Sequence, residues 1–113
     1  MDIKNINDAI IFSDDSITKR VLFAEKNILT FILNFKPGQT LPPHKHEKST
    51  LLLSVLSGCG EIKVNDEVKN ISKGSVVLVN GDDELSIPTV TEKMSIHVVI
   101  SPNPSAMYGQ NFG

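Results

Sequence analysis

The segment of this 113-residue chain best equipped for chemistry is Gly38-Gln39-Thr40-Leu41-Pro42-Pro43-His44-Lys45-His46-Glu47, in which a glycine and two prolines lead into two histidines one residue apart. On extended backbone, side chains two residues apart project from the same face, so His44 and His46 present their imidazoles together. Neutral imidazoles held side by side are ligands for divalent transition metals such as Zn, Fe, Mn or Ni. The same rings can hydrogen-bond an organic molecule. A lone His-x-His pair is also a common surface feature, so the weight falls on the elements that hold it.

Those elements read as β. Ten Val and twelve Ile stand beside three Ala, a balance that favours pleated, half-buried surfaces over helices. Strands are expected over Lys19–Ala24, Ile28–Lys36, Thr50–Ser57, Glu61–Val64, Val68–Ser72, Ser75–Val79, Glu84–Ile87 and Lys93–Ser101. Turn signals separate them, among them Gly58-Cys59-Gly60 and Asn80-Gly81-Asp82-Asp83. Short, closely spaced strands of this kind predict an all-β sandwich or barrel. Alternation puts Leu29, Phe31, Leu33 and Phe35 on one buried face. Thr50–Leu56 carries apolar residues on both faces, which predicts a central strand or one partly covered by another subunit. In the last strand Met94, Ile96, Val98 and Ile100 share one face, leaving His97 on the more polar one. A helical turn is expected only near Asn7–Ile11, capped by Asn7 or Asp8. The tail 102–113 reads as an extended arm bearing Met107, Tyr108 and Phe112.

Composition excludes several roles. Eleven Lys+Arg against thirteen Asp+Glu give a net charge of −2 with no block of like charge, so neither nucleic acid nor a membrane surface is an expected partner. No apolar run approaches the ~18 residues that span a bilayer, and the start lacks a secretory pattern. A cytoplasmic protein is expected. Cys59 is the single cysteine; placed between glycines in a turn with no His or Lys beside it, it reads as a turn residue, not a nucleophile. Asp82-Asp83-Glu84 reads as a solvated hairpin turn, and Gly58-Cys59-Gly60 precedes a strand, so it is no phosphate loop.

Spacing carries the argument further. Gly38, five residues, His44, one residue, His46 and then Gly58 after eleven more resembles the first signature of the cupin superfamily, G-x5-H-x-H-x(3 or 4)-E-x6-G. Gly74 follows Gly58 after fifteen residues, similar to the short inter-motif spacing of small single-domain cupins. The resemblance runs from about Ile28 to Ser101. It implies a double-stranded β-helix, or jelly-roll, barrel over 28–101, with 1–27 packing on it as an N-terminal segment and first strand, and 102–113 as tail. It also implies a metal held by two His and a Glu of the first signature and a His of the second. This chain departs from that set: the Glu position falls on Thr50 or Leu51, and in the second signature Asn80, Asp82, Leu85 and Thr89 replace Pro, Gly, His and Asn.

With two of four ligands lost, a metal at His44 and His46 is expected to be weakly bound. His97 is a candidate third ligand and Glu47 a lesser one, while Leu51, Leu53 and Leu85 are expected to line an apolar pocket. The leading expectation is therefore a small cupin that binds a small organic ligand, with or without a weakly held divalent metal, and lacks strong catalysis. The alternative is a metal-dependent dioxygenase, isomerase or decarboxylase in which His97 or substrate completes the metal shell. A homodimer is expected from the two-sided apolar strand Thr50–Leu56 and the aromatic tail, and it is compatible with either reading.

Overall fold

The structure, a computed structural model, describes residues 1–105; Met107, Tyr108 and Phe112 of the tail lie outside the described residues. Its strands are β1 (Thr18–Glu25), β2 (Ile28–Phe35), β3 (Leu41–His44), β4 (Thr50–Val64), β5 (Glu67–Ser72), β6 (Val76–Asn80) and β7 (Leu85–Ser101). They join in the order β1-β2-β7-β4-β5, with β3 added to β7 and β6 to β4. Every pairing is antiparallel. Among the described residues no helix is long and apolar enough to cross a membrane.

Two long strands make the jelly-roll barrel. β4 has 15 residues and β7 has 17, and they pair with one another from Thr50↔Ser101 to Val64↔Leu85. The first half of β4 also pairs with β6 and its second half with β5. In the same way β7 serves β3 at its start and β2 at its end. Register shifts cluster between Val55 and Lys63 of β4, and such bulges raise the local twist and bend the ribbon.

Gly58-Cys59-Gly60 therefore lies inside a strand, where the sequence predicted a turn, and Cys59 is a strand residue. The glycines are there because two backbones touch. A Cβ on Gly58 would stand 2.1 Å from the Lys93 carbonyl oxygen, and one on Gly60 would stand 2.3 Å from that of Thr89. The strands expected over Glu84–Ile87 and Lys93–Ser101 are likewise one strand that turns this corner without a break.

The predicted inner faces hold. Leu29, Phe31, Leu33 and Phe35 of β2 meet Met94, Ile96, Val98 and Ile100 of β7 and Leu51, Leu53 and Val55 of β4 in one core. The second face of β2 is buried too, because the N-terminal segment lies across it: Ile6, Ala9 and Ile10 pack with Leu22 and Ile32 in a smaller cluster. Asn34 sits beneath this cover without a polar group left over. Its amide donates to the Ala9 carbonyl at 2.9 Å and to Thr18 Oγ1 at 3.0 Å, and its Oδ1 accepts from Ser95 Oγ at 2.8 Å. The N-terminal turn is a 3₁₀ helix over Ile6–Ala9, and Asn5, not Asn7 or Asp8, caps it by accepting from the Asn7 N–H. On the outer face of β4, Leu56 joins the smaller cluster while Leu52 remains exposed opposite Leu78 of β6.

Candidate ligand pocket

The histidine pair stands where β3 ends. β3 pairs with β7 at Leu41↔Ile87 and His44↔Leu85, with an irregularity between that spans Pro42 and Pro43, residues with no N–H to give to a ladder. His44 Nδ1 donates to the Pro42 carbonyl at 2.8 Å. A carbonyl only accepts, so the proton resides on Nδ1 and Nε2 carries the open lone pair. The two rings meet edge to face with centroids 4.7 Å apart and planes at 86°.

His46 is placed by a different device. Its N–H donates to the Gly81 carbonyl at 2.9 Å, Gly81 N–H donates to the Ser49 carbonyl at 2.8 Å, and Ser49 N–H returns to the His46 carbonyl at 3.1 Å. The Lys48 N–H adds a bond to Asp82 Oδ1 at 3.1 Å. This approach requires glycine: a Cβ at position 81 would stand 2.0 Å from the His46 carbonyl oxygen. The β6–β7 turn read from Asn80-Gly81-Asp82-Asp83 is thus also the clamp of the histidine loop. Its working glycine precedes by one residue the position that the second cupin signature assigns to glycine.

Both histidines line a pocket of about 330 Å³ together with Lys19, Phe31, Leu33, Leu41, Pro42 and Pro43. Lys19 pairs with Leu33 across β1 and β2, so its side chain shares the face of the barrel interior. Its ammonium stands over the Phe31 ring, 4.7 Å from the centroid, at cation–π distance. Burial lowers the pKa of Lys19. His46 is driven down from 6.5 to about 4, first by burial, then by the proximity of His44 and of the Lys19 cation. At neutral pH the pocket therefore holds a neutral His46 beside a lysine.

The structure brings together His44 and His46 and no other sequence-predicted site residue. His97 pairs with Ile32 and Ser54 and lies on the opposite face of β7 from Ile96 and Val98. There its Nε2 and Thr30 Oγ1 share a hydrogen bond of 2.6 Å, so it does not reach the pair. Leu51, Leu53 and Leu85 are core residues at 2%, 2% and 3% exposure and do not line this pocket, whose apolar wall comes from Phe31, Leu33, Leu41 and the two prolines. Glu47 is exposed in the loop. Lys19 and Gly81 are the residues that sequence reasoning missed.

A metal, implied by the signature, fits this donor set poorly. Among the described residues no three His, Cys, Asp or Glu side chains are grouped to hold one, and a lysine ammonium shares the pocket. Two imidazoles alone leave most of the coordination shell to water.

Comparison with known proteins agrees with the fold. The family model described as "Cupin domain" matches residues 31–100, most of the chain, and the protein belongs to that family. A search of curated proteins gives no match. Among solved structures, an RmlC-like cupin protein from Desulfovibrio desulfuricans is 29% identical with a TM-score of 0.80, over 90% of this chain and 97% of that one. The protein TT1209 from Thermus thermophilus is 20% identical with a TM-score of 0.82, over 90% and 98%. An uncharacterized conserved protein with a double-stranded beta-helix domain from Klebsiella pneumoniae is 16% identical with a TM-score of 0.81, over 89% and 90%. At such identities the last two speak for the fold alone.

Proposed function

We propose that this cupin binds a small organic molecule in the pocket at His44 and His46, and that a divalent metal there is at most weakly held. The observation that carries this reading is the make-up of the pocket: two imidazoles and one lysine set against an apolar wall, with no Asp or Glu among the described residues that line it. Sites for small organic molecules combine a mainly apolar lining with a few convergent polar groups. Metal-dependent catalysis needs an ion held by three or so protein ligands with an open position, and His97 is turned away from that task.

The test is the metal content of untagged protein, measured by mass spectrometry of the digested sample and compared with His44→Ala/His46→Ala. The expected result is well below one ion per chain in both. One ion per chain in the wild type, lost in the double variant, would overturn the reading and place the metal-dependent enzyme first.

A further inference from the structure

We infer that the bare outer face of β4, β6 and β7, built on Leu52, Val76 and Leu78, is where a second copy of this chain docks, joining two barrels sheet to sheet about a twofold axis. The face lies on the other side of the sheet from the histidine pocket and does not depend on the reading of that pocket. Its extent follows from register. Leu52 stands opposite Leu78 on β6 and Val99 on β7, and Ser54 stands opposite Val76 and His97, so these side chains share one surface. The N-terminal segment covers the neighbouring part of the same face, where Ile6, Ala9 and Ile10 pack with Ile32 and Leu56. That cover stops short of β6: Leu78, Val76 and Leu52 are 73%, 65% and 40% exposed. One exposed Leu needs no explanation, but three apolar side chains gathered on one sheet face mark a contact surface.

Charge selects the occupant. Between Thr50 and Ser54, Val76 and Asn80, and His97 and Ser101, no side chain on this face is an Asp, Glu, Lys or Arg. His97 turns its Nε2 to Thr30 Oγ1 within the sheet. In a twofold contact both partners present the same residues, so any charge on the face would bring its like with it. A face without charge is complementary to itself, and a partner recognised by its charge has nothing here to engage. Two such faces pack as the sheets of a sandwich do, with side chains interdigitating across about 10 Å. Val68, exposed on β5, has a different setting: Lys63 stands opposite it, with Glu61 on the same face, and docking there would strip both charges of water.

The experiment is sedimentation equilibrium of the untagged 113-residue chain across the micromolar range. The expected mass is twice the 12.4 kDa of one chain. Val76→Glu/Leu78→Glu is expected to raise the dissociation constant about 100-fold or more, because each new carboxylate is presented twice in one contact. Leu78→Lys serves as a second variant should the paired glutamates disturb folding, which far-UV circular dichroism reads. Val68→Glu, placed opposite Lys63, is expected to leave the mass at two chains. A monomer at every concentration overturns the inference and leaves the face to residues 106–113 of the same chain or to a different protein. A dimer that withstands both β6 variants, or that Val68→Glu dissociates as readily, overturns it as well.

Discussion

Two of the grooves that the described residues form on this barrel are similar in volume and have little else in common. One, of about 330 Å³, is lined by Lys19, Phe31, Leu33, Leu41, Pro42, Pro43, His44 and His46. The other, of about 400 Å³, lies along the bend of β4 and β7 and is lined by Cys59, Glu61, Asn70, Ser72, Thr89 and Thr91 with Gly60 and Ile71. In the second groove polar groups serve the frame: Cys59 Sγ lies 3.2 Å from Thr91 Oγ1, which also donates to the Cys59 carbonyl at 3.3 Å. In the first, the Pro42 carbonyl fixes one nitrogen of His44 and so leaves the other directed to a partner. The larger volume is a by-product of bending two strands over glycines. A binding site is marked instead by polar atoms with capacity to spare, converging on an apolar wall.

Each groove depends on a glycine, and substituting the two separates stability from binding. Gly81→Val drives a side chain into the His46 and Ser49 carbonyls, and Gly58→Val drives one into the backbone of Lys93 and Met94. Each is expected to cost about 2–5 kcal/mol in urea unfolding, from overpacking and lost backbone hydrogen bonds. Only Gly81→Val should also displace His46, read as a shift of the His46 ring protons by NMR. Equal shifts of those protons in both variants would mean that the clamp has no special hold on the site.

Smaller, and confined to the first groove, is the response to pH. The folded state keeps His46 neutral down to about pH 4 against an ordinary value of 6.5, so between those values the unfolded chain binds the extra proton. Stability is therefore lost as pH falls from about 6.5 to about 4, and this group adds no further loss below that. His97, whose pKa burial also lowers, contributes with the same sign. An NMR titration isolates the pocket's share: the His46 midpoint is expected near 4 and should rise in Lys19→Met, since one source of its depression is the lysine charge. An unmoved midpoint would show that Lys19 does not act on His46.

The sequence disclosed what local spacing governs. His44 and His46 lie two residues apart on extended chain, and the inner faces of β2 and β7 follow from strict alternation. Lys19 was hidden because its place depends on the β1–β2 register, which pairs it with Leu33 and shifts between Val21 and Phe23; no spacing along the chain announces that. His97 was misjudged for a related reason. Alternation put it on the polar face of its strand, but the pocket wall is built from the apolar face that carries Phe31 and Leu33. Leu51, Leu53 and Leu85 do point inward as their pattern implied, yet depth along a strand decides whether an inward residue meets a ligand or another side chain. The Gly58 and Gly60 corner looked like a turn because glycine marks both a reversal and a close crossing of backbones.

The smallest effect is the sharpest test of the contrast between the grooves. Cys59→Ser and Glu61→Gln alter the two most reactive groups of the larger groove while preserving shape. If that groove is only the hollow side of a bent ribbon, each change should shift stability by no more than about 0.5 kcal/mol. The His44 and His46 ring-proton resonances should then stay at their wild-type positions, as expected for sites that share no partners. Glu61 is the informative one, because it is the sole acid among the described residues that line that groove and a bound cation or basic ligand there would need it. A Glu61→Gln variant with markedly altered stability, or with displaced His44 and His46 resonances, would show that the second groove holds a group or is coupled to the first. Volume would then have been the better guide, and the contrast drawn between the two grooves would fail.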